Sequence, residues 1–156
     1  MSDYTHNLYS EFRKLFAAPL LANTDITDRV EGGARGITYG YPPSKAQYPR
    51  LTFTVLSDKR LGSGAPLSAH QLEVALTIHS TDPDDGDALQ AAINDMIGKT
   101  GETPSWSVDT LANDYVGCGE FSVDDDIEFG YDPRHVARDV FVEMRTFRFN
   151  AIIVAA

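Results

Sequence analysis

The run Asp82-Pro83-Asp84-Asp85-Gly86-Asp87 is the first candidate for metal chemistry in this chain. A calcium loop places oxygens at positions 1, 3 and 5, glycine at 6 and glutamate at 12. Counted from Asp82, glycine falls fifth and Ile93 twelfth, so the loop pattern is not met. The same residues suit a helix start. Asp82 is a good N-cap, Pro83 belongs in the first helical position, and the following aspartates favour the positive end of the helix dipole. No bound metal is expected there. The histidines, His6, His70, His79 and His135, are scattered without ligand spacing, whereas zinc needs three or four converging ligands. His79, next to the apolar face of its strand, is expected to be exposed.

Nucleophile motifs are equally incomplete. Gly62-Ser63-Gly64 is shorter than the Gly-x-Ser-x-Gly elbow. Gly98-Lys99-Thr100-Gly101 lacks the spacing of a phosphate-cradling loop and follows a helix instead of preceding one. Cys118, between Gly117 and Gly119, would act as a nucleophile only beside a histidine in space; a buried structural cysteine is the simpler reading. The sequence therefore points to no catalytic residue, no cofactor and no metal, and to a protein that is not an enzyme.

The elements that would position these groups follow from periodicity. Leu8, Phe12, Leu15 and Phe16 make one apolar stripe on a helix expected from Asp3 to Ala17, ended by Pro19. Residues 23–43, rich in glycine and proline, read as loop with one short strand near Ile37–Tyr41. Residues 51–57 and 70–79 alternate apolar and polar, the mark of a sheet with one face on a core. Between them, Asp58–Ala69 exceeds ordinary hairpin loops of about 2–5 residues. It reads as a projecting arm carrying Lys59 and Arg60, with only Leu61 and Leu67 to pack. A second helix, with Leu89, Ile93, Met96 and Ile97 inward, is expected to stop at Gly98 in a C′ position. One strand is placed around Tyr115–Val123.

A final long strand, about His135–Ile153, is apolar on both faces. Val136, Val140, Val142 and Met144 lie on one face, and Phe141, Phe147 and Phe149 on the other. Either a bulge shifts its register or one face meets a neighbouring subunit, which makes Phe141, Phe147 and Phe149 candidate interface residues. Helix, strands, helix, strands in this order indicates an α+β fold, a mainly antiparallel sheet with two helices on one face and a long β-hairpin arm.

The 156 residues suit a single domain, 1–156, that needs no metal or disulfide to fold. A lone cysteine fits a reducing compartment, no apolar run reaches the ~20 residues of a membrane span, and no signal peptide is visible, so a soluble cytosolic protein is the default. The net charge of −10 would repel a DNA backbone, which argues against dedicated nucleic-acid binding. Most simply it confers solubility; more sharply, it is a surface that DNA passes without sticking. Asp124-Asp125-Asp126 reads as a solvated turn or as an acidic patch lining a channel.

Tyr48-Pro49-Arg50-Leu51-Thr52-Phe53, the strand Leu72–Ile78, Ser80-Thr81-Asp82 and the helix residues Ala88–Ile93 together resemble the small tail terminator and tail-completion proteins of tailed bacteriophages. The resemblance is one of element order over most of the chain. It implies a ring, usually a hexamer of this one chain, that caps the tail tube and offers a surface to the head-side connector protein. The partners implied are further copies of the chain, the tail tube protein and the connector, with DNA threading through unbound and no membrane involved. The location implied is the virion tail, with assembly in the host cytoplasm. Three other readings stay open: a head–tail connector or stopper protein; a small cytosolic enzyme or ligand-binding domain with a deep polar pocket; and a chaperone-like module with a groove beside the second helix.

Overall fold

The computed structural model describes residues 8–40, 42, 47–61, 69–98, 106, 111–112, 116–124, 126–133 and 141–155. Helix α1 spans Leu8–Ala22. Phe12, Phe16 and Leu20 recur every four residues and are all buried, so one stripe faces the core. Pro19, expected to end this helix, lies inside it. Proline in a helix interior costs about 3 kcal/mol, and fully buried Leu20, one residue further on, supplies packing to set against that. The start expected at Asp3 lies outside the described residues. Asn23 then caps a four-residue helix, α2, Thr24–Thr27, its side chain accepting from the Ile26 amide at 3.2 Å. A 3-10 turn at Gly33–Gly36 leads into β1, Ile37–Tyr39.

Strand β2 covers Arg50–Leu61 and β3 covers Ala69–Ser80. They pair antiparallel from Arg50 opposite His79 to Leu61 opposite Ala69. The hairpin is therefore strand through Leu61, further than the alternation suggested, because a bulge between Val55 and Ser57 breaks the simple period. Before it, Leu51, Phe53 and Val55 share the inward face with Leu72, Val74, Leu76 and Ile78. After it, Asp58 and Arg60 stand opposite Leu72 and His70, while Lys59, opposite Gln71, falls on the other face. Lys59 and Arg60 are thus paired strand residues, not loop residues. The tip, including Leu67, lies outside the described residues.

Helix α3, Pro83–Ile97, starts as its sequence dictates: the Asp82 carboxylate accepts from the Asp84 amide at 2.9 Å, and Pro83 opens the first turn. Leu89, Ala92, Ile93 and Met96 are buried. Gly98 does end the helix, but at φ 172° its backbone is extended rather than left-handed. Any residue can adopt that conformation, so the C′ expectation fails in its geometry.

The remaining strands are β4, Val116–Val123, β5, Glu128–Tyr131, and β6, Glu143–Ala155. The six-stranded sheet runs β1-β2-β3-β6-β4, and β5 also pairs with β6. β4 lies along Phe149–Ala155 and β5 along Glu143–Thr146, so the two share one edge of β6 end to end. Every described pairing is antiparallel except β1 with β2. The fold is α+β with a mainly antiparallel sheet. Pairing between β3 and β6 is continuous from Ala69 with Val154 to Ser80 with Glu143, so no bulge shifts the last strand's pairing with β3.

That continuity fixes the faces of β6. Phe147, Phe149, Ala151 and Ile153 point into the core, and Phe147 and Phe149, at 2% and 0% exposed, have no surface to give a partner. Their neighbours explain it. Phe149 meets Phe16 edge-on at 5.4 Å, Trp106 edge-on at 4.9 Å and Phe121 stacked at 5.6 Å. Trp106 stacks on Phe16 at 4.8 Å and donates its indole N–H to the Phe16 carbonyl at 2.9 Å. One aromatic cluster thus joins α1, β4, β6 and the segment at Trp106.

Candidate interaction surfaces

Among the described residues the helices pack on one face of the sheet, and no described helix packs on the other. On that other face β2, β3 and β6 present Thr52, Thr54, Thr77 and Thr146, and the Thr77 and Thr146 hydroxyls meet at 3.0 Å. A groove of about 270 Å³ runs along these hydroxyls, Met144 and Arg148. Arg148 bonds Glu73 at 2.7 Å and Glu128 at 3.1 Å. These two carboxylates push its guanidinium pKa further up against the opposing effect of burial. His79 lies in this face but is only 1% exposed, with Nε2 2.8 Å from the Thr52 hydroxyl. The expected exposure of His79 is not met: Gln71, Glu73 and Thr77 on the same face of β3 stay partly exposed, whereas the His79 ring is held against Thr52 and buried. The groove offers threonine hydroxyls and an arginine matched by two carboxylates, a surface suited to polar contact.

At the end of the helix-covered face, Arg145 forms a clamp. Its side chain is buried, yet it bonds Asp87 and Glu143, each at 2.6 Å, and the Gln90 carboxamide oxygen at 2.8 Å. Burial works against the charged form, but the two carboxylates outweigh it and raise the pKa. The guanidinium also lies 5.1 Å from the Phe129 ring centre, a cation–π contact. Arg145 so ties α3, β5 and β6 together. Arg145→Ala is expected to lower the unfolding free energy by about 2 kcal/mol, since a buried, charge-assisted network is lost while the carboxylates can rehydrate. Urea titration measures this; a loss below about 0.5 kcal/mol, as for an exposed pair, would remove the clamp role.

Beyond the clamp, β5 is exposed along its whole length. Phe129, Tyr131 and Phe141 are 61%, 60% and 56% exposed, and Tyr131 meets Phe141 edge-on at 5.9 Å. Of the candidate interface residues, Phe141 alone among the phenylalanines lies at the surface. Phe129 and Tyr131 escaped the sequence reading because β5 has only four residues, although their spacing of two was a usable signal. At the opposite end of the sheet, Ala17, Ala18, Leu21 and Tyr39 line an apolar groove of about 470 Å³ edged by Arg13 and Lys14. The Arg13 guanidinium stacks 4.9 Å above the Tyr39 ring.

Near the hairpin end, Asp58 accepts from the Tyr9 hydroxyl and lies 2.9 Å from His70 Nδ1. Burial would raise the Asp58 carboxyl, but the bonds to Tyr9 and His70 and the charge of Arg60 hold it below its ordinary value. The contact fastens the start of α1 to the hairpin, beside exposed Lys59 and Arg60. The side chain of Leu61 is outside the described residues. Asp124 and Asp126 are exposed, with the Asp124 amide donating to the Arg148 carbonyl at 2.9 Å; Asp125 is outside the described residues.

Cys118 is half-buried, and that burial pushes its thiol pKa up, away from the thiolate that catalysis requires. Among the described residues no three His, Cys, Asp or Glu side chains converge as metal ligands, and no helix is long and apolar enough to cross a membrane.

No protein-family model matches the sequence, and no curated protein matches it. Among solved structures the chain is similar to one from the virion of a native gene transfer agent particle. The TM-score is 0.54 at 11% identity, covering 94% of this chain and 92% of that one. The likeness is one of fold, end to end.

Proposed function

We propose that this chain is a structural subunit of a phage-like virion, and within it a tail terminator. In this reading six copies form a ring that closes the finished tail tube and meets the head-side connector. The observation that carries it is the fold shared over nearly the whole length of both chains with a component of a gene transfer agent virion. An all-over likeness of this kind favours a subunit with the same architectural task over a domain borrowed for another purpose. The charge supports it too: a net −10 per subunit lets DNA slide through a ring that repels it. The exposed Asp124 and Asp126, with Asp125, are the acids assigned to the channel, and Lys59 and Arg60 to the arm. Such a role requires neither cofactor nor catalytic centre.

Electron cryo-microscopy of particles purified from the source organism tests this. The expected result is density for six copies of this chain around the tube axis, at its head-proximal end. A ring set against the portal and separated from the tube by another protein would make the chain a connector or stopper. Absence from the particles, or presence without rotational symmetry about the axis, overturns the virion-ring reading.

A further inference from the structure

We propose that copies of this chain join head to tail, with the aromatic knob of one copy, Phe129, Tyr131 and Phe141, seated in the groove beside α1 of the next. This rests on the ring reading for its place in a particle and names the contact that would close such a ring.

The knob has the properties of an interface centre. Its three rings are more than half exposed, and at about 150–250 Å² per aromatic side chain they leave roughly 300–400 Å² of apolar surface in water. A patch of that size matches the largest a monomer ordinarily shows, which is often functional, and its aromatic make-up is that of interface hot spots. The knob is also preorganised: Tyr131 and Phe141 pack on each other, and Phe129 rests on the clamped Arg145. Little side-chain freedom remains to be lost on binding.

The groove answers it in shape and charge. Its volume of about 470 Å³ lies within the range of about 300–1,000 Å³ that receives bulky groups. Alanines 17 and 18 leave the helix surface low, Tyr39 supplies a ring to pack against, and Arg13 gives the rim a positive charge, Lys14 beside it being paired with Glu11 at 3.2 Å. The knob's surroundings are net negative: Arg145 is flanked by Asp87 and Glu143 and Arg148 by Glu73 and Glu128, and exposed Asp126 precedes β5. The whole sequence shares this polarity. Residues 1–61 hold 8 basic and 6 acidic side chains, whereas residues 62–156 hold 5 and 17.

Position decides the occupant. The groove adjoins β1 at one edge of the sheet, and the knob stands on β5 against β6, at the other. Two complementary patches at opposite edges of one subunit describe a heterologous contact, which repeats from copy to copy and closes into a ring if the rotation allows. A second copy of this chain brings the acidic aromatic surface that the basic apolar groove calls for.

Two variants test this by complementation. Tyr131→Ser with Phe141→Ser removes the knob and leaves the groove; Ala18→Glu with Leu21→Glu blocks the groove and leaves the knob. All four positions are exposed, so both proteins should keep wild-type melting curves. Sedimentation velocity and native mass spectrometry are run over a concentration series. The wild type is expected to self-associate, and each variant to do so at least about tenfold more weakly. An equimolar mixture should form a one-to-one heterodimer and nothing larger, since one intact knob–groove pair remains. A photo-cross-linker at position 131 of the otherwise native chain should join peptides containing Arg13–Leu21 or Tyr39. A wild type monomeric up to its solubility limit, variants that associate like the wild type, a mixture that stays monomeric, or cross-links elsewhere would each overturn the contact. Complementation without a ring in purified particles would sink the virion reading and leave the contact standing. A ring in particles built on other residues would do the reverse.

Discussion

Replacing Phe149 by alanine is expected to cost the isolated subunit about 3–5 kcal/mol, the usual range for a buried phenylalanine. Its position in β6 places it between Val74 of β3 and Val123 of β4. Its ring is fully buried and lies against Phe16, Trp106 and Phe121. The cavity left behind could not collapse easily. The sheet backbone on either side is held by its ladder, and Trp106 is fixed by its bond to the Phe16 carbonyl. For a chain of this size the melting temperature should fall by roughly 10 °C. The effect belongs to the subunit, so it should be independent of protein concentration. Phe141→Ala, at a position 56% exposed, should stay within about 0.5 kcal/mol of the wild type in the isolated subunit. Calorimetry of both variants at two concentrations separates them. Equal losses, or a Phe149→Ala loss that vanishes on dilution, would return Phe149 to an interface.

That contrast marks where the sequence could be read and where it could not. The alternation of Leu72, Val74, Leu76 and Ile78, and the Asp82–Pro83 start of α3, were legible because each depends on a period or a cap of a few residues. The apolar residues on both sides of the last strand were legible as a puzzle only. Its solution needed the register with β3, which sends Phe147 and Phe149 inward, and the turn back from β5, whose Asp132 amide donates to the Val142 carbonyl at 2.8 Å. Pro19 and the bulge at Leu56 misled for the same reason: local rules mark the boundary they would set alone, and packing at Leu20 or pairing with β3 moves it. The surfaces were the least legible. Lys59 and Arg60 look alike in sequence, yet stand on opposite faces after the bulge. Phe129 and Tyr131 stand out only once a four-residue strand puts them on the surface together.

The other large effect is expected at a residue that does no chemistry. Gly36 closes the 3-10 turn before β1 and is buried. A Cβ there would lie 2.3 Å from Val30 Cγ1 and 2.4 Å from the Glu31 carbonyl oxygen, and the second of these is backbone that cannot swing aside. The Glu31 amide donates to the Pro49 carbonyl at 2.8 Å, which holds that segment against the entry to β2. Val30 is itself part of the core. Gly36→Ala must therefore move β1 or the 30–31 segment, and overpacking of this severity is expected to cost about 3 kcal/mol or more. The contrast is Gly40→Ala, where a Cβ would meet nothing within 4 Å. Its φ of 87° still disfavours alanine, so a smaller loss of about 1 kcal/mol is expected from conformation alone. Urea unfolding of both variants gives the comparison. Because β1 carries Tyr39, the ring at the groove beside α1, Gly36→Ala should also weaken self-association under conditions where the subunit remains folded. If Gly36→Ala is as stable as the wild type, the turn does not pack as described and β1 is not held in place by it.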